Sequence, residues 1–489
     1  MATLKVISDW TAASFLSAGE ITTYVKSYSL NRGRSSELDR VSPGTLTLVL
    51  DNPDGLFSPA NTSSSLSGSL VPYRSIYVDW TLSGSTFRRF RGKINRYSPE
   101  PTVSGERTVI IECVDEMDNW QRQETRSTLY TNVLSGSLIQ NILNNAKFPA
   151  ASSGSRFIDD GQDTYPYAYF DQRKIDEVLN DIVRTEYGTG FIRGDGAYVF
   201  HDRHYRSINA TASATFNENM TNATYSRDIA DIYTEARVNT LPRITKASTT
   251  IWTLQSPITI SPSSTASWFG NYIDPTTCAT GGAQGVASPI IGTGLLFNSN
   301  ASGTGTVLSA SLTASFTAFA ESFKIVASNA GNTAGYIYSM TVTGCPIVTH
   351  ENISRSWVDA TACTLYGLRT LTYDATLVTD PEQAQAFAQF LISRYSDPAN
   401  TDRATITIVN DDATDWEHIL RRDLDSRITL TISKLGITSQ DYFIGRLDES
   451  YDSNSGLHQV TYALERTGTA DQLFVIDLSP VNATKTLSY

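Results

Sequence analysis

Two stretches near opposite ends of the chain carry the same strand pattern, and this internal repeat constrains the fold more than any other feature. Residues 45–51 read TLTLVLD, and residues 405–411 read TITIVND. A second pair follows in the same order, since residues 90–95 read FRGKIN and residues 443–448 read FIGRLD. The preserved order indicates that one strand arrangement occurs twice.

Equal spacing extends the repeat. Counted from each phenylalanine, residues 109–112 (VIIE) align with residues 462–465 (YALE). The alternative is a chance match, because alternating threonine and leucine is common in amphipathic strands. A glycine inside such a strand indicates a bulge or a close backbone approach, which barrels use to turn corners. If the repeat is real, the sequence predicts two similar small β-barrels at the chain ends.

Alternation of apolar and polar residues dominates the rest of the chain and indicates strands with one buried face. Residues 76–82 and 428–432 show it clearly. With 489 residues, 40% hydrophobic and 18% charged, the chain is expected to be globular and to form several domains. The predicted fold class is mainly β with a few helices: two end barrels, with an α+β module and an inserted β-sandwich between them.

Three segments have helical spacing. One follows Ser135, and one follows Asp171 and is predicted to stop at Gly188. The third begins at Asp380, which can cap it, while Gln383 can bond back to the first turn. The predicted domains are a first barrel domain at 1–125, an α+β domain with two helices and a hairpin (191–200) at 126–225, an inserted Ser/Thr-rich sandwich (245–345) with return strands at 226–375, and a helix plus second barrel domain at 376–489.

The charge balance argues against a broad nucleic-acid-binding surface, because 38 Lys and Arg face 50 Asp and Glu for a net charge of -12. Residues 1–10 lack a signal-peptide layout, and no apolar run is long enough to span a membrane. We therefore expect a soluble chain made in the cytosol. Single buried thiols are expected at the four cysteines, although a disulfide between Cys345 and Cys363 stays open.

Motifs that resemble metal or catalytic sites have simpler explanations. His201 and His204 form the only histidine pair, but the pair follows a strand and has no third ligand. Residues 51–55 (DNPDG) fail the calcium-loop register and suit a turn. Residues 193–195 (RGD) form a hairpin turn. The sequence therefore predicts no catalytic, cofactor-binding or metal-binding residue, no cofactor and no enzymatic activity.

Two charged clusters are harder to assign. Four carboxylates follow a strand and could pair as in a glycosidase, although a solvated loop is the expected reading; they are Glu112, Asp115, Glu116 and Asp118. An alternating-charge cluster lies further towards the N-terminus and is either a solvated loop or a contact between barrels or subunits; it consists of Arg34, Glu37, Asp39 and Arg40.

The segment around this second cluster resembles the minor tail proteins, or tail hub proteins, of long-tailed bacteriophages. The resemblance rests on residues 32–45 (RGRSSELDRVSPGT) and 50–61 (LDNPDGLFSPAN). It continues at residues 70–74, at 191–204, which end in DRH, and in the helix leading to residues 393–398 (SRYSDP). Residues 245–345 match least, apart from residues 335–344, which begin GYIYS and resemble the family.

The resemblance implies a homotrimeric hub at the tail tip of a virion. Such a hub closes the tube beneath the tail tube and distal tail protein, contacts the tape-measure protein, supports a central fibre or spike, and opens for DNA. It implies no specific nucleic-acid binding and no membrane span. An acidic balance suits a lumen that must not hold DNA, because like charges repel phosphates. Host recognition and wall digestion are then expected of partner proteins.

Two other functions remain open from the sequence. The chain could be a β-rich receptor- or carbohydrate-binding tail-tip protein, with Trp252, Trp268 and Tyr272 of the insertion as sugar platforms. It could also be a tail-associated glycan hydrolase, although no catalytic constellation supports that reading.

Overall fold

The computed structural model describes residues 2–10, 19–101, 107–209, 211–218, 220–278 and 280–467, together with 473–474 and 486–487. Within these residues the protein consists mainly of β-strands in several sheets, with seven α-helices. This confirms the predicted mainly β, multidomain class. In this described part of the chain, no helix has the length and apolar character needed to cross a membrane.

The N-terminal module consists of six strands and one short helix. Alternate residues of its strands point into a shared core, as in the last strand, where Val109, Ile111 and Cys113 are buried. Asp115 caps the helix by accepting from the Met117 N–H. The elements are β1 (Thr3–Ser8), β2 (Val25–Gly33), β3 (Ser42–Asp51), β4 (Ser75–Leu82), β5 (Ser85–Pro101), β6 (Arg107–Val114) and α1 (Glu116–Trp120).

The α+β module follows and contains the first two predicted helices and the predicted hairpin. Its elements are β7 (Glu124–Thr125), β8 (Tyr130–Leu134), α2 (Ser135–Asn145), β9 (Arg156–Ile158), β10 (Thr164–Ala168), β11 (Arg173–Lys174), α3 (Ile175–Glu186), β12 (Thr189–Ile192), β13 (Tyr198–His201) and α4 (Tyr205–Ile208). The left-handed residue that ends α3 is Tyr187, with φ of 54°, rather than the predicted Gly188. Gly188 is required instead for close approach, because a Cβ there would lie 2.5 Å from the His201 carbonyl oxygen.

The predicted insertion is a sandwich of two sheets around its own core. The long strand β25 pairs with β17, β18, β19, β21 and β22, and β24 pairs with β20 and β23 on the other side. The elements of this region are β14 (Thr215–Asn217), β15 (Asn222–Ser226), β16 (Glu235–Thr240), β17 (Arg243–Thr245), β18 (Thr249–Thr253), β19 (Ile258–Ile260), β20 (Ser264–Asn271), β21 (Ala283–Ala287), β22 (Leu295–Asn298), β23 (Leu312–Ala318), β24 (Ser322–Asn329) and β25 (Gly335–Thr349).

The C-terminal part begins with a small sheet and a long helix and ends in the second module. Its elements are β26 (Ile353–Val358), α5 (Ala360–Tyr366), β27 (Thr370–Asp374), α6 (Pro381–Tyr395), β28 (Arg403–Val409), α7 (Ala413–Arg421), β29 (Arg427–Ile432), β30 (Ile437–Asp452), β31 (Leu457–Arg466), β32 (Leu473–Phe474) and β33 (Thr486–Leu487). Asp380 caps α6, as predicted. The prediction for Gln383 is wrong, because its amide donates to Asp163 of the α+β module at 2.8 Å instead of bonding back.

The internal repeat is present as a repeated strand order. The first module pairs its strands in the order β1-β4-β5-β6-β3-β2, and the second in the equivalent order β14-β29-β30-β31-β28-β15. The register differs, however. Leu48 pairs with Ile111 in the first module, whereas Ile408 pairs with Val460, four residues before the aligned Leu464. The strand order is therefore duplicated, while the ladder between these two strands has shifted. The outermost pair also differs, because β1 is antiparallel to β4 whereas β14 is parallel to β29.

The two modules join into one twelve-stranded sheet. Strand β2 of the first pairs antiparallel with β30 of the second, from Ser27 opposite Asp452 to Gly33 opposite Arg446. Both modules contribute to one hydrophobic core. Separate cores lie between α2 and α3, inside the insertion, and between β16 and α6. The four domain boundaries given above stay predictions.

Candidate functional site

The charged cluster predicted as a contact between barrels lies at the junction of the two modules. Arg34 follows β2, and its Nε and Nη2 atoms donate to Glu465 of β31 at 3.1 and 3.2 Å. Both side chains are largely buried. Asp39 and Arg40 stay exposed, and Arg40 Nη1 lies 3.5 Å from Asp176 of α3. The cluster is thus divided between an internal junction and an exposed rim.

Glu37 connects this contact to the α+β module and to α6. Its carboxylate accepts from Arg206, from Arg394 and from the Tyr395 hydroxyl, each at 3.0 Å. Arg206 also donates to Asp425 at 2.8 Å and to Glu465 at 2.7 Å. Three guanidinium groups and three carboxylates therefore balance within one network, which ties five segments of the chain together. We call it the junction network; it consists of Arg34, Glu37, Arg206, Arg394, Asp425 and Glu465.

A second buried network lies across the same junction. Arg89 of β5 donates to Glu449 of β30 at 2.8 Å, and neither side chain is more than 2% exposed. The other oxygen of Glu449 accepts from the Tyr28 hydroxyl at 2.7 Å and contacts His458 Nε2 at 2.9 Å. Trp80 stacks on His458 with the ring centroids 4.7 Å apart. Local sequence patterns could not predict these contacts, because most of them join residues that are hundreds of positions apart in the chain.

The electrostatics of both networks favour fixed ion pairs over proton transfer. Burial alone would raise the pKa of Glu449, but the charge of Arg89 holds that pKa well below its usual range. Burial acts in the same direction on Asp425, and the charge of Arg206 outweighs it, so that this pKa is lowered too. Both carboxylates are ionised at neutral pH and are held by cations, which suits a rigid joint between modules.

Replacing Arg34 with methionine tests the joint. We expect the free energy of unfolding to fall by about 2 kcal/mol, because a bidentate charged contact is lost while Glu465 keeps Arg206 as a partner. Arg40→Met is the control, because Arg40 is half exposed and lies 3.5 Å from Asp176, so that its loss should cost about 1 kcal/mol or less. Denaturant titration of both variants measures the difference, and equal effects would contradict a joint at Arg34.

We expect the ionisation of Glu37 to contribute to the pH dependence of the free energy of unfolding. Burial would raise the pKa of Glu37, but neighbouring guanidinium groups, with Arg394 first, lower it from 4.5 to about 2. A lowered pKa means that its contribution is fully present above the unfolded value and is lost as pH falls from about 4.5 towards about 2. Glu37→Gln should therefore flatten the acid limb of the unfolding free energy against pH. An unchanged slope would contradict this assignment.

The histidine pair lies in this region without gathering further ligands. His201 Nδ1 contacts Asp425 at 2.7 Å, and its ring stacks on Tyr205 at 3.3 Å. His204 is buried, and burial lowers its pKa. Among the described residues, no group of three or more His, Cys, Asp or Glu side chains is arranged to hold a metal ion.

Polar groups of the two turn motifs, residues 51–55 and 193–195, bond to other atoms of the protein. The Asn61 amide donates to the carbonyl oxygens of Asp54 and Gly55 at 3.0 and 3.1 Å. Arg193 and Asp195 pair with each other in the hairpin turn. A Cβ at Gly194 would lie 2.5 Å from the Arg88 carbonyl oxygen, so this turn is packed against β5.

The carboxylate cluster at the end of β6 was predicted to be a solvated loop, and this prediction is wrong. Asp115 is buried, caps α1 and accepts from the Gly44 N–H at 2.6 Å. Burial raises its pKa to about 7. Glu112 pairs with Arg96 on the sheet surface. The cluster is therefore divided among a strand face, a cap and the helix, and does not form a facing pair.

The prediction that Trp252, Trp268 and Tyr272 form an exposed sugar-binding surface is wrong. Tyr272 is 1% exposed and stacks near Phe323 in the core of the insertion. Trp252 packs edge-on against the same ring at 5.0 Å, and Trp268 lies against this core as well. These aromatic residues pack with the large aliphatic side chains that form the core of the sandwich. All four cysteines are free thiols, so Cys345 and Cys363 form no disulfide.

Comparison with solved structures adds to this picture. The 43 kDa tail protein of prophage MuSo2 from Shewanella oneidensis matches 96% of this chain and 99% of its own at a TM-score of 0.50. A tail protein from Neisseria meningitidis MC58 matches 96% and 98% at a TM-score of 0.51. The fold is shared with phage tail proteins. Both are only 11% identical to this chain, and the sequence matches no family model and no curated protein. The resemblance seen in the sequence is thus confirmed for the fold.

Proposed function

We propose that the protein is a structural tail hub: a homotrimer that closes the distal end of a phage tail tube, gates DNA passage and supports a tail-tip fibre or spike. Its proposed partners are two further copies, the distal tail or tail tube protein, the tape-measure protein and the fibre or spike. Its proposed place is the tip of the virion tail, after assembly in the host cytoplasm. The proposed role is non-enzymatic.

The duplicated module is the observation that carries the proposal. Within one chain, β2 of the first module joins β30 of the second. The topological counterpart of β2 is β15, which ends the path of paired strands, so its outer edge has no partner strand among the described residues. The same kind of contact is therefore available to a neighbouring subunit. Three chains with two modules each would close a ring of six similar units.

The outer face of the joined sheet supports a passage for DNA. Its central strands present mainly small hydroxyl and amide side chains with a few carboxylates, as seen at Ser27, Ser29, Asn31, Thr45, Thr47, Asp448, Ser450, Asp452, Gln459 and Thr461. The two basic side chains there, Lys26 and Arg446, each lie against a carboxylate, Asp51 and Asp448 respectively. Positive side chains bind phosphates and would retain the DNA. We propose that this face lines the lumen, where a neutral to acidic surface lets DNA pass without holding it.

Light scattering over a dilution series tests the trimer. A stable mass about three times the 53.6 kDa of the chain is expected. Thr224→Lys places a charge on the free edge strand β15 and should reduce the mass to that of a monomer, because lysine on an edge opposes strand pairing. Thr372→Lys on β27, another exposed edge-strand threonine, is the matched control and should leave the trimer intact. A monomeric wild-type chain would contradict self-assembly in solution.

The receptor- or carbohydrate-binding alternative now depends on other surfaces of the insertion, because its three aromatic residues are packed inwards. Phe269 at 56% and Ile290 at 71% exposure are its largest exposed apolar side chains near that core. A glycan array probed with the whole protein separates the two proposals. Saturable binding that Phe269→Ala abolishes would favour the binding protein.

A further inference from the structure

The second half of strand β5 has a free edge that matches the docking edge of β30. In β30, residues 437–443 pair with β29, and residues 446–452 pair on the same side with β2 of the other module. In β5, residues 85–93 pair with β4 in the equivalent way. Residues 96–101 pair with β6, and no described strand lies along their other edge. The place that β2 takes beside β30 is therefore open beside β5 in the described part of the chain.

Main-chain bonds show which residues of the two strands correspond. Each strand has an isoleucine, Ile94 or Ile444, that exchanges two main-chain bonds with the segment just before β4 or β29. A bulge follows each isoleucine, so that the ladder with β6 or β31 resumes two residues later. Residues 96–101 of β5 are therefore the counterpart of residues 446–451 of β30, by main-chain bonding rather than by the sequence repeat.

The same rows of paired residues fix the correspondence between β2 and β15. The row that starts at Ile94 crosses β6 and β3 and reaches Leu30 of β2. The row that starts at Ile444 crosses β31 and β28 and reaches Tyr225 of β15. Leu30 and Tyr225 therefore occupy equivalent positions, and Leu30 lies opposite Glu449 in the joint between the modules.

We propose that β15 of one copy docks antiparallel along residues 96–101 of the next copy. Transferring the pairing of β2 with β30 to these strands places Tyr225 opposite Pro99 and Ser226 opposite Ser98 of the next copy. This inference rests on the proposed trimeric hub, and it names the second surface of each contact between its copies.

Charge complementarity supports a second copy as the partner. Asp228 continues the line of β15 in an extended conformation, with φ of -119° and ψ of 139°, and it is exposed. Its counterpart in β2 is Gly33, which lies opposite Arg446. The residue equivalent to Arg446 in β5 is Arg96, whose side chain is 62% exposed. Docking therefore brings a carboxylate of one copy opposite a guanidinium of the next.

Two prolines make this contact weaker than the joint within the chain. The ladder between β5 and β6 includes Pro99 and extends to Pro101, so both nitrogens point towards the free edge, because a proline cannot donate to the strand it pairs with. The docked β15 donates its own N–H groups to β5 and receives none from these two residues. We therefore expect the copies to separate at a lower denaturant concentration than the one that unfolds each chain.

Engineered disulfides test the register. Ser226→Cys combined with Ser98→Cys should cross-link neighbouring copies under mild oxidation, because these positions form a non-hydrogen-bonded antiparallel pair with Cα atoms about 4.5 Å apart. Ser226→Cys combined with Thr372→Cys, on the exposed edge of β27, is the matched control and should stay monomeric on a non-reducing gel. The single variant Ser226→Cys controls for the four native thiols.

A charge exchange tests the same contact independently. Asp228→Arg and Arg96→Asp should each raise the dissociation constant of the trimer at least about tenfold, because like charges then face each other between copies. The double variant should restore the wild-type constant. Light scattering over a dilution series measures each constant, and an unchanged thermal transition of the monomeric variants shows that they are folded.

The outcomes separate this inference from the proposed function. A wild-type protein that stays monomeric would overturn both the trimer and the docking surface. An intact trimer in which the 226–98 pair gives no cross-link, or in which the double charge variant gives no recovery, would overturn the docking surface alone. A cross-link from position 226 to position 372 instead would show that β15 docks on another edge.

Discussion

Replacing Arg89 with methionine is expected to lower the free energy of unfolding by about 3–5 kcal/mol, because it leaves a buried carboxylate without its charge partner. Arg89 neutralises Glu449 and also donates to the carbonyl oxygens of Leu420 and Arg422 at 3.1 Å. One side chain thus joins β5 to the second module through three acceptors. Chemical denaturation followed by intrinsic fluorescence measures the loss.

The neighbouring arginine is the matched control. Arg88 pairs with Asp79 within the first module; Arg88 is 30% exposed and Asp79 is 8% exposed. Because this pair is only partly buried, Arg88→Met should cost about 1–2 kcal/mol, less than the loss at Arg89. The double variant Arg89→Met/Glu449→Gln removes the stranded charge and should recover part of the lost stability. If Arg89→Met costs no more than Arg88→Met, the buried pair does not stabilise the junction.

Replacing Gly33 with alanine is expected to cost at least about 3 kcal/mol, from backbone strain and overpacking together. Gly33 has φ of 109°, and a Cβ there would lie 2.3 Å from the Gly445 carbonyl oxygen and 2.8 Å from the Arg446 Cα. Both contacts are to backbone, so neither can be relieved by a side-chain rotation. The ladder between β2 and β30 must open instead.

Gly84 is the control that separates backbone strain from overpacking. It also has a positive φ, of 84°, but a Cβ there meets no atom within 4 Å, so Gly84→Ala should cost only about 1–2 kcal/mol of strain. Thermal unfolding of both variants compares them directly. Similar losses would mean that the close approach of the two modules at Gly33 contributes little.

Local patterns predicted the local elements well. Apolar alternation located β3, β6, β28 and β31, helical spacing located α2 and α3, and helical spacing together with the Asp380 cap located α6. Each of these elements could be predicted because its pattern involves only residues close together in the sequence. The short helices α1, α4, α5 and α7 were missed, since they carry too few residues to show a clear period. The shifted register between β28 and β31 was missed because strands that alternate evenly align equally well at any even offset.

The junction was harder to foresee, and Arg89 shows why. Strict alternation would place Arg89 on the surface, opposite the buried Phe90. The ladder between β4 and β5 passes from Val78 opposite Phe90 to Asp79 opposite Arg88, so Arg89 is the extra residue of a bulge. A bulge lets two successive side chains turn inwards. The charged segment around Arg34 did predict a contact between barrels. Its partners Glu465 and Arg206 could not be predicted, because tertiary packing alone brings them to this segment.

The route by which the chain enters and leaves the inserted sandwich has an evolutionary consequence. Strands β16 and β26 lie side by side, with Thr240 opposite Ile353, and the pairing resumes with Arg243 opposite Thr349. The two connections therefore run together like the stem of a hairpin. Such a stem tolerates exchange of whatever it carries, because the ends to be rejoined are already adjacent. This geometry would let the sandwich be replaced by another domain while the duplicated modules keep their contacts.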